Sequence, residues 1–273
     1  MLTKVEVFNS RGNTLMLPFK GSTSGCLVKD ITGLNPVKAT IVSSSFALMD
    51  GSEYQASRRE SRNIVITLGL NPDQRVTDVQ TLRSSLYGFF MPKTSVTLRF
   101  FMDDIAFVHI AGMIESCDAP IFSKDPEMVI SVLCFDPEFV AETPIVFSAT
   151  TVNDSTMRAI VYPGTVETGF ILSLAVSSVL TEFTLYGVSP MGDHWAIDVS
   201  GDFVAGDVIE LSTVSGNKYA TLTRTGVTSS IMYAVSPMST WFDLFPGISM
   251  VRILTNVTGS PYTITYTPMY GGI

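Results

Sequence analysis

The sequence predicts a mainly β protein in two parts: a first β domain carrying one α-helix, then a second domain built only from strands. Three observations carry this. Short apolar, β-branched runs recur along the whole chain between Gly, Asp and Pro turns. A single segment, Val79 to Phe90, repeats its apolar residues at helical spacing. Beyond Phe139 that spacing disappears, and short strands follow one another roughly every ten residues, as in a sandwich or barrel. The expected domains are 1–139 and 140–273, with Pro137 and Pro144 punctuating an accessible linker between them.

Taken in order, Val5, Val7 and Leu15–Leu17 mark lead-in strands around the turn Asn9-Ser10-Arg11-Gly12-Asn13. They form a small hairpin or an arm lying on a neighbour, and Phe19–Ile31 reads as irregular. Thr40–Leu48 is apolar and β-branched and runs into Asp50-Gly51-Ser52. That is a hairpin signal, because Gly takes positive φ without steric cost. Arg59-Glu60-Ser61-Arg62-Asn63 then leads into Ile64–Leu68, and Asn71-Pro72-Asp73 reads as a loop. Thr77-Asp78-Val79-Gln80 has the form of a capping box, with Thr77 accepting from the Gln80 amide. Val79, Leu82, Leu86 and Phe90 share one helix face, Arg83 and Ser84 lie on the other, and Met91-Pro92 stops the helix.

Three strands follow. Val96–Phe100 alternates cleanly; Asp103-Asp104 makes a turn; Ile105–Ile114 is nearly continuous apolar, with Gly112 marking a bulge or a close approach. Asp118-Ala119-Pro120 and Lys124-Asp125-Pro126 bracket a polar connection into Met128–Phe135. The second domain offers strands at Arg158–Tyr162, Phe170–Val176, Glu182–Tyr186, Ala196–Val199, Val208–Ser212, Tyr219–Thr223, Met250–Leu254 and Tyr262–Tyr266. Gly201-Asp202, Ala205-Gly206-Asp207 and Ser215-Gly216-Asn217 supply turns.

Charge narrows the function. The formal net charge is −8 and only 15% of residues are charged, so an electrostatic nucleic-acid surface is not expected. Three widely spaced Cys, no Cys-x-x-Cys and two His argue against zinc and for plain thiols in a reducing cytoplasm. The start lacks a charged region followed by an apolar one, so no signal peptide is expected. Phe170–Leu180, the most apolar window, is too short to span a bilayer, so no membrane insertion is expected.

Residues able to carry chemistry are few. Asp193-His194 is the sole adjacent acid–His pair, and neighbours in an extended segment point opposite ways. His109, inside Phe107–Ile110, reads as a packed histidine with one satisfied nitrogen. Asp103, Asp104, Asp118, Asp125 and Glu127 lack the alternation of a calcium loop. Arg58-Arg59-Glu60-Ser61-Arg62 is either a solvated hairpin edge or a protein contact. Trp241-Phe242-Asp243-Leu244-Phe245-Pro246-Gly247 is a core cluster or a sugar-stacking platform, with core favoured. No catalytic residue, metal ligand or cofactor contact is assigned.

Several phrases occur in a telling order. They are Arg62–Leu68, the helix with Leu82-Arg83-Ser84-Ser85-Leu86-Tyr87, Leu133-Cys134-Phe135-Asp136-Pro137-Glu138-Phe139, Gly206-Asp207-Val208-Ile209-Glu210-Leu211, the Trp241–Gly247 cluster and the ending Thr263–Ile273. Across nearly the whole chain this order resembles the distal tail proteins (Dit) of phages with long non-contractile tails. The resemblance implies a ring-forming, tail-tube-like domain at 1–139 and a galectin-like β-sandwich at 140–273. It implies a structural protein, not an enzyme, that needs no cofactor. The protein would form a homo-hexameric ring at the virion tail tip, assembled in the host bacterial cytoplasm. Its partners would be the major tail tube protein, the tape measure protein, the baseplate hub or tail-associated protein, and receptor-binding or fibre proteins. DNA would pass through the lumen without specific binding, and a net negative chain suits that because it repels phosphates. The ring surfaces expected are the hairpin edge Gly51–Asn63, with Arg58, Arg59 and Arg62 setting register, and the strand pair Val96–Ile114. Two alternatives stand beside this: a carbohydrate-binding β-sandwich module of a tail adhesin, suggested by Trp195 and Trp241, and a tail-borne hydrolase, which lacks a readable nucleophile–base pair.

Overall fold

The computed structural model describes residues 1–20, 25–47, 50–71, 78–120 and 125–273. Leu48, the Pro72-Asp73 part of the expected loop, Thr77 and Lys124 lie outside the described residues. Contacts divide the chain into two units, one of Met1–Glu142 with Tyr270–Ile273 and one of Thr143–Met269. The sequence reading divides the chain at 139/140 and leaves its end in the second domain; the contacts divide it after Glu142 and return the last four residues to the first unit. The reason is local. Ile273 N–H donates to the Leu34 carbonyl at 3.0 Å, and the Gly271 carbonyl accepts from Arg62 at 2.5 Å.

The first unit runs β1 (Leu2–Asn9), β2 (Thr14–Pro18), β3 (Cys26–Thr32), β4 (Ala39–Ser44), β5 (Glu53–Arg59), β6 (Arg62–Leu70), α1 (Val79–Phe90), β7 (Ser95–Met102), β8 (Ile105–Asp118), β9 (Glu127–Cys134) and β10 (Phe139–Ala141). Its main sheet has the order β2-β1-β7-β8-β9-β6-β3, with β10 beside β8, while β4 and β5 form a separate two-stranded ribbon. Alternation builds the core: Val96, Leu98 and Phe100 of β7 and Ile64, Ile66 and Leu68 of β6 point to one buried face. The helix closes that face with Leu82, Leu86 and Phe90. Its N-cap is Asp78, whose carboxylate accepts from the Thr81 amide at 2.6 Å, so the cap sits one residue after the expected Thr77.

Of the two readings of the lead-in, the hairpin holds and the arm does not: β1 pairs with both β2 and β7, and Val5, Val7 and Leu17 are buried in the core. The side chain of Asn9 closes the β1–β2 turn by accepting from the amides of Arg11 and Asn13, both at 3.0 Å. Three expectations change in this unit. The stretch read as irregular contains β3, which pairs antiparallel with β6. The hairpin at Asp50-Gly51 forms, but its second strand is β5; Ile64–Leu68 lies in β6, between β3 and β9. The expected open linker is strand: Val140 and Ala141 pair with His109 and Val108, and Phe139 is buried.

Gly112 marks a close approach. A Cβ there would meet Val132 Cγ1 at 2.7 Å, Cys134 Sγ at 2.8 Å and the Leu133 carbonyl oxygen at 2.9 Å. The β7–β8 turn is the two-residue Asp103-Asp104, both at positive φ (49° and 65°), as a tight hairpin with the right twist requires.

The second unit runs β11 (Ile145–Thr150), β12 (Arg158–Tyr162), β13 (Phe170–Ala175), β14 (Leu180–Val188), β15 (His194–Phe203), β16 (Val208–Ser212), β17 (Tyr219–Arg224), β18 (Val227–Ser230), a short 3-10 turn at Met232–Ala234, β19 (Gly247–Thr255) and β20 (Pro261–Tyr266). One sheet has the order β11-β20-β13-β16-β17-β18 and the other β12-β19-β14-β15. Their inner residues, among them Leu172, Leu174, Leu185, Ile209, Val251, Ile253 and Ile264, share one core, which makes a sandwich. Each strand expected here is present. Gly201-Asp202 is the exception among the expected turns: it continues β15 to Phe203, and the chain turns at Ala205-Gly206 instead. Asp207, buried after that turn, accepts from Arg224 Nη2 at 2.6 Å and Nε at 2.8 Å and from the Val204 amide at 2.8 Å.

Candidate functional site

The side chains that could do chemistry are occupied otherwise. Asp193 closes a loop with Ser189, whose hydroxyl accepts from the Asp193 and Met191 amides at 3.0 and 3.1 Å, while His194 is exposed at the start of β15. No dyad forms. His109 Nδ1 lies 3.0 Å from Glu142 Oε1, which also accepts from Arg99 Nε at 2.8 Å. Arg99 Nη1 reaches Glu6 Oε2 at 3.3 Å, and its guanidinium carbon lies 4.7 Å from the centroid of the Phe8 ring. Glu6, Arg99 and His109 are direct cross-strand neighbours, so this is a charge ladder across β1, β7 and β8, a device for pinning register.

No group of three or more potential metal ligands occurs among the described residues. Burial pushes the thiols of Cys117 and Cys134 up to about 11, which keeps them protonated and unreactive. No described helix is long and apolar enough to cross a membrane.

The basic run divides into unlike residues. Arg58 is exposed on β5, and Arg59 Nη1 pairs with Glu138 Oε1 at 3.1 Å. Arg62 is fully buried and cannot set register with a neighbour. Its guanidinium donates to Gly33 O at 2.5 Å, Asn35 O at 2.7 Å, Pro137 O at 2.6 Å and Gly271 O at 2.5 Å, and lies 4.4 Å from the Phe139 ring centroid. Four carbonyls from three stretches of the first unit are thereby tied to one cation, a fixed fork that a point charge could not match. Burial lowers the pKa of Arg62 from its ordinary value, and Glu138 opposes that shift. One signal in the sequence points inward: Arg62 has the strand parity of Ile64, Ile66 and Leu68.

The expected edge at Val96–Ile114 is not free. β7 lies between β1 and β8, and β8 lies between β7 and β9. Among the described residues no further strand pairs with the β4–β5 ribbon, and every β5 residue is exposed. Ile41, Val42 and Tyr54 stand 66%, 53% and 62% exposed on it. Single exposed apolar residues are ordinary; a ribbon outside the main sheet that carries several together is a candidate contact surface.

In the second unit the aromatic cluster is core, as favoured. Phe242 and Leu244 are buried, and Trp195 stacks on Phe242 and Phe245 at centroid distances of 5.7 and 5.5 Å. Gly187 makes room for this: a Cβ there would lie 2.4 Å from the Phe242 ring. Trp241 is partly buried against the core, with Lys218 Nζ 5.8 Å from its ring centroid, so it is not an open platform.

The described residues form a two-unit β protein with two separate cores and an exposed apolar ribbon, a scaffold rather than a cluster of reactive groups. Residues 163–270 match the SPP1 Dit family, the siphovirus-type tail component, C-terminal domain. That match covers most of the second unit, and it bears out the resemblance to the Dit-like structural proteins of phage tails seen in the sequence. The crystal structure of SPP1 Dit, described as a paradigm of the hub adsorption apparatus in phages infecting Gram-positive hosts, is similar over 97% of this chain and 98% of that one, with 16% identity and a TM-score of 0.68; the fold is shared. A chain of the phage P2 baseplate in its activated, calcium-containing form matches over the same shares at 9% identity and a TM-score of 0.46. No curated protein sequence matches this chain.

Proposed function

We propose that the protein forms a closed homo-hexameric ring through its first unit, joining the tail tube and tape measure protein above to the baseplate hub and adhesion apparatus below. The observation that carries this is the β4–β5 ribbon, whose exposed Ile41, Val42 and Tyr54 lie on strands that pair with no further strand among the described residues. A ring needs heterologous contacts, in which one surface of a subunit meets a different surface of the next. A free strand edge supplies backbone hydrogen bonds for such a contact, and its side chains supply specificity. Arg58 and the Arg59–Glu138 pair flank that edge and fit a polar rim.

The net charge of −8 supports a lumen that lets DNA slide, since fixed carboxylates repel phosphates and offer no counterion release. The role asks nothing of a cofactor or a nucleophile. Assembly belongs to the bacterial cytoplasm and the finished protein to the virion tail tip.

The test is a reconstruction of the assembled tail with wild-type protein and with Ile41→Asp. The wild type is expected around the central channel. The substituted protein, whose exposed site costs the monomer little, is expected to keep its thermal stability and to fail to enter tails. Wild-type protein on peripheral fibres, or normal rings from Ile41→Asp, would refute the reading.

A further inference from the structure

The outer face of the β12-β19-β14-β15 sheet holds a groove of about 540 Å³. Tyr186 of β14 forms part of its floor, and Arg252 stands beside Tyr186 on β19 as a direct cross-strand partner. The guanidinium carbon lies 4.7 Å from the Tyr186 ring centroid, and Nη1 donates to the Asp154 carbonyl at 2.8 Å. Arg252 Nε is buried and has no acceptor within the protein. On the other flank, His194 of β15 pairs across the sheet with Val188 of β14. Arg252 and His194 therefore lie diagonally across β14, two strand spacings and two residues or roughly 12 Å apart. Hydroxyl groups come from Ser155 and Thr240, and apolar surface from Met157 and Val188.

Charge sets this groove apart from the rest of the molecule. The chain has 25 acidic residues, yet none lines the groove among the described residues. Asp154, at the groove's edge, is within electrostatic reach of Arg252 and accepts from the Thr156 amide at 2.8 Å, while Asp198 accepts from Thr184 Oγ1 at 2.7 Å. What remains is a guanidinium lying on Tyr186 with its Nε buried and unpaired, an imidazole, hydroxyls and apolar patches. An anion satisfies the guanidinium. Hydroxyls and apolar patches in alternation suit a ring that is polar at its rim and apolar on its faces.

We propose that this groove binds an acidic saccharide unit, a pyranose bearing a carboxylate or a phosphate, with the anion on Arg252 and the sugar lying across β14 towards His194. The site stands on the second unit alone and gives the sugar-binding alternative a place and a ligand class. Trp241, the residue first suspected of stacking, takes no part in it. Because the site is independent of the ring, its failure would leave the ring reading untouched.

Calorimetric titration of the whole protein tests this with glucuronate and glucose 6-phosphate, which distinguish the carboxylate from the phosphate source. Neutral glucose and N-acetylglutamate serve as controls. At least one acidic sugar is expected to bind saturably, at least tenfold more tightly than glucose. Arg252→Gln should weaken it about tenfold or more, the usual effect of losing a charge-assisted hydrogen bond. His194→Ala, at an exposed position that carries no packing, should weaken it with unchanged thermal unfolding; Arg11→Gln in the first unit should not. Absence of saturable binding by both acidic sugars, equal binding of N-acetylglutamate, or wild-type affinity in both groove variants would overturn the proposal.

Discussion

Replacing Arg62 with Ala removes the donor for four backbone carbonyls, those of Gly33, Asn35, Pro137 and Gly271. Each buried acceptor left unpaired costs ~1–3 kcal/mol, so the bare sum is ~4–12 kcal/mol. Two effects reduce it. Water entering the vacated space re-pairs some carbonyls. Removing a buried charge also relieves a desolvation cost of several kcal/mol, which is the direction in which burial already pushes this guanidinium. The expected net loss is about 3–5 kcal/mol, the range found when buried charge networks are broken. Arg62→Lys should recover less than half of it, because an ammonium presents three donors from one point. Urea unfolding followed by two probes measures this. Both tryptophans, Trp195 and Trp241, lie in the second unit, so their fluorescence follows that unit, whereas far-UV circular dichroism follows both. The dichroism should gain an early transition that the fluorescence lacks. A loss below about 1 kcal/mol would show that the four carbonyls do not depend on Arg62, and the reasoning would be wrong.

Leu86→Ala should cost ~2–5 kcal/mol in the same unfolding experiment, since Leu86 is buried where the helix closes the core. Gly112→Ala should cost ~1–3 kcal/mol, because its Cβ would sit 2.9 Å from a backbone oxygen that cannot step aside. The Arg224 hydrogen bond, aided by the Val204 amide, holds Asp207 below the usual carboxylate range. Its stabilisation is complete above an unfolded-state value near ~4 and is lost as pH falls through the lower folded value. Stability measured against pH should therefore decline below ~4 in wild type and decline less steeply in Asp207→Asn, which is weaker at neutral pH. Limited trypsin digestion should cut first after Arg58 on the exposed ribbon and spare Arg62; early cleavage at Arg62 would contradict its burial.

Local patterns made much of this legible. The helix face Leu82, Leu86 and Phe90, the alternation in β7, the Asp103-Asp104 turn and eight strands of the sandwich all follow from period and turn chemistry within a few residues. What escaped depended on distant partners. β3 is an edge strand with mostly partly exposed or exposed residues, and pairing with β6 makes it regular. β18 is exposed throughout and is held by β17, partly through Thr223 and Thr228. Arg62 looked like one member of a surface run, because the carbonyls it serves come from positions 33, 35, 137 and 271. The groove could not be read at all: Tyr186, His194 and Arg252 are strangers in the sequence until three strands align.

The return of Tyr270–Ile273 to the first unit makes the second an insertion in the topological sense. The chain leaves its first compact body after Glu142 and comes back at Tyr270, with Gly271 under Arg62 and Ile273 against Leu34. Bodies inserted in this way tolerate exchange, since the host body keeps its own core whatever is carried between the two crossing points. A lineage could replace or enlarge everything from Thr143 to Met269 while the first unit stays fixed. An engineer could do the same, grafting a foreign binding module as a cassette between Glu142 and Tyr270.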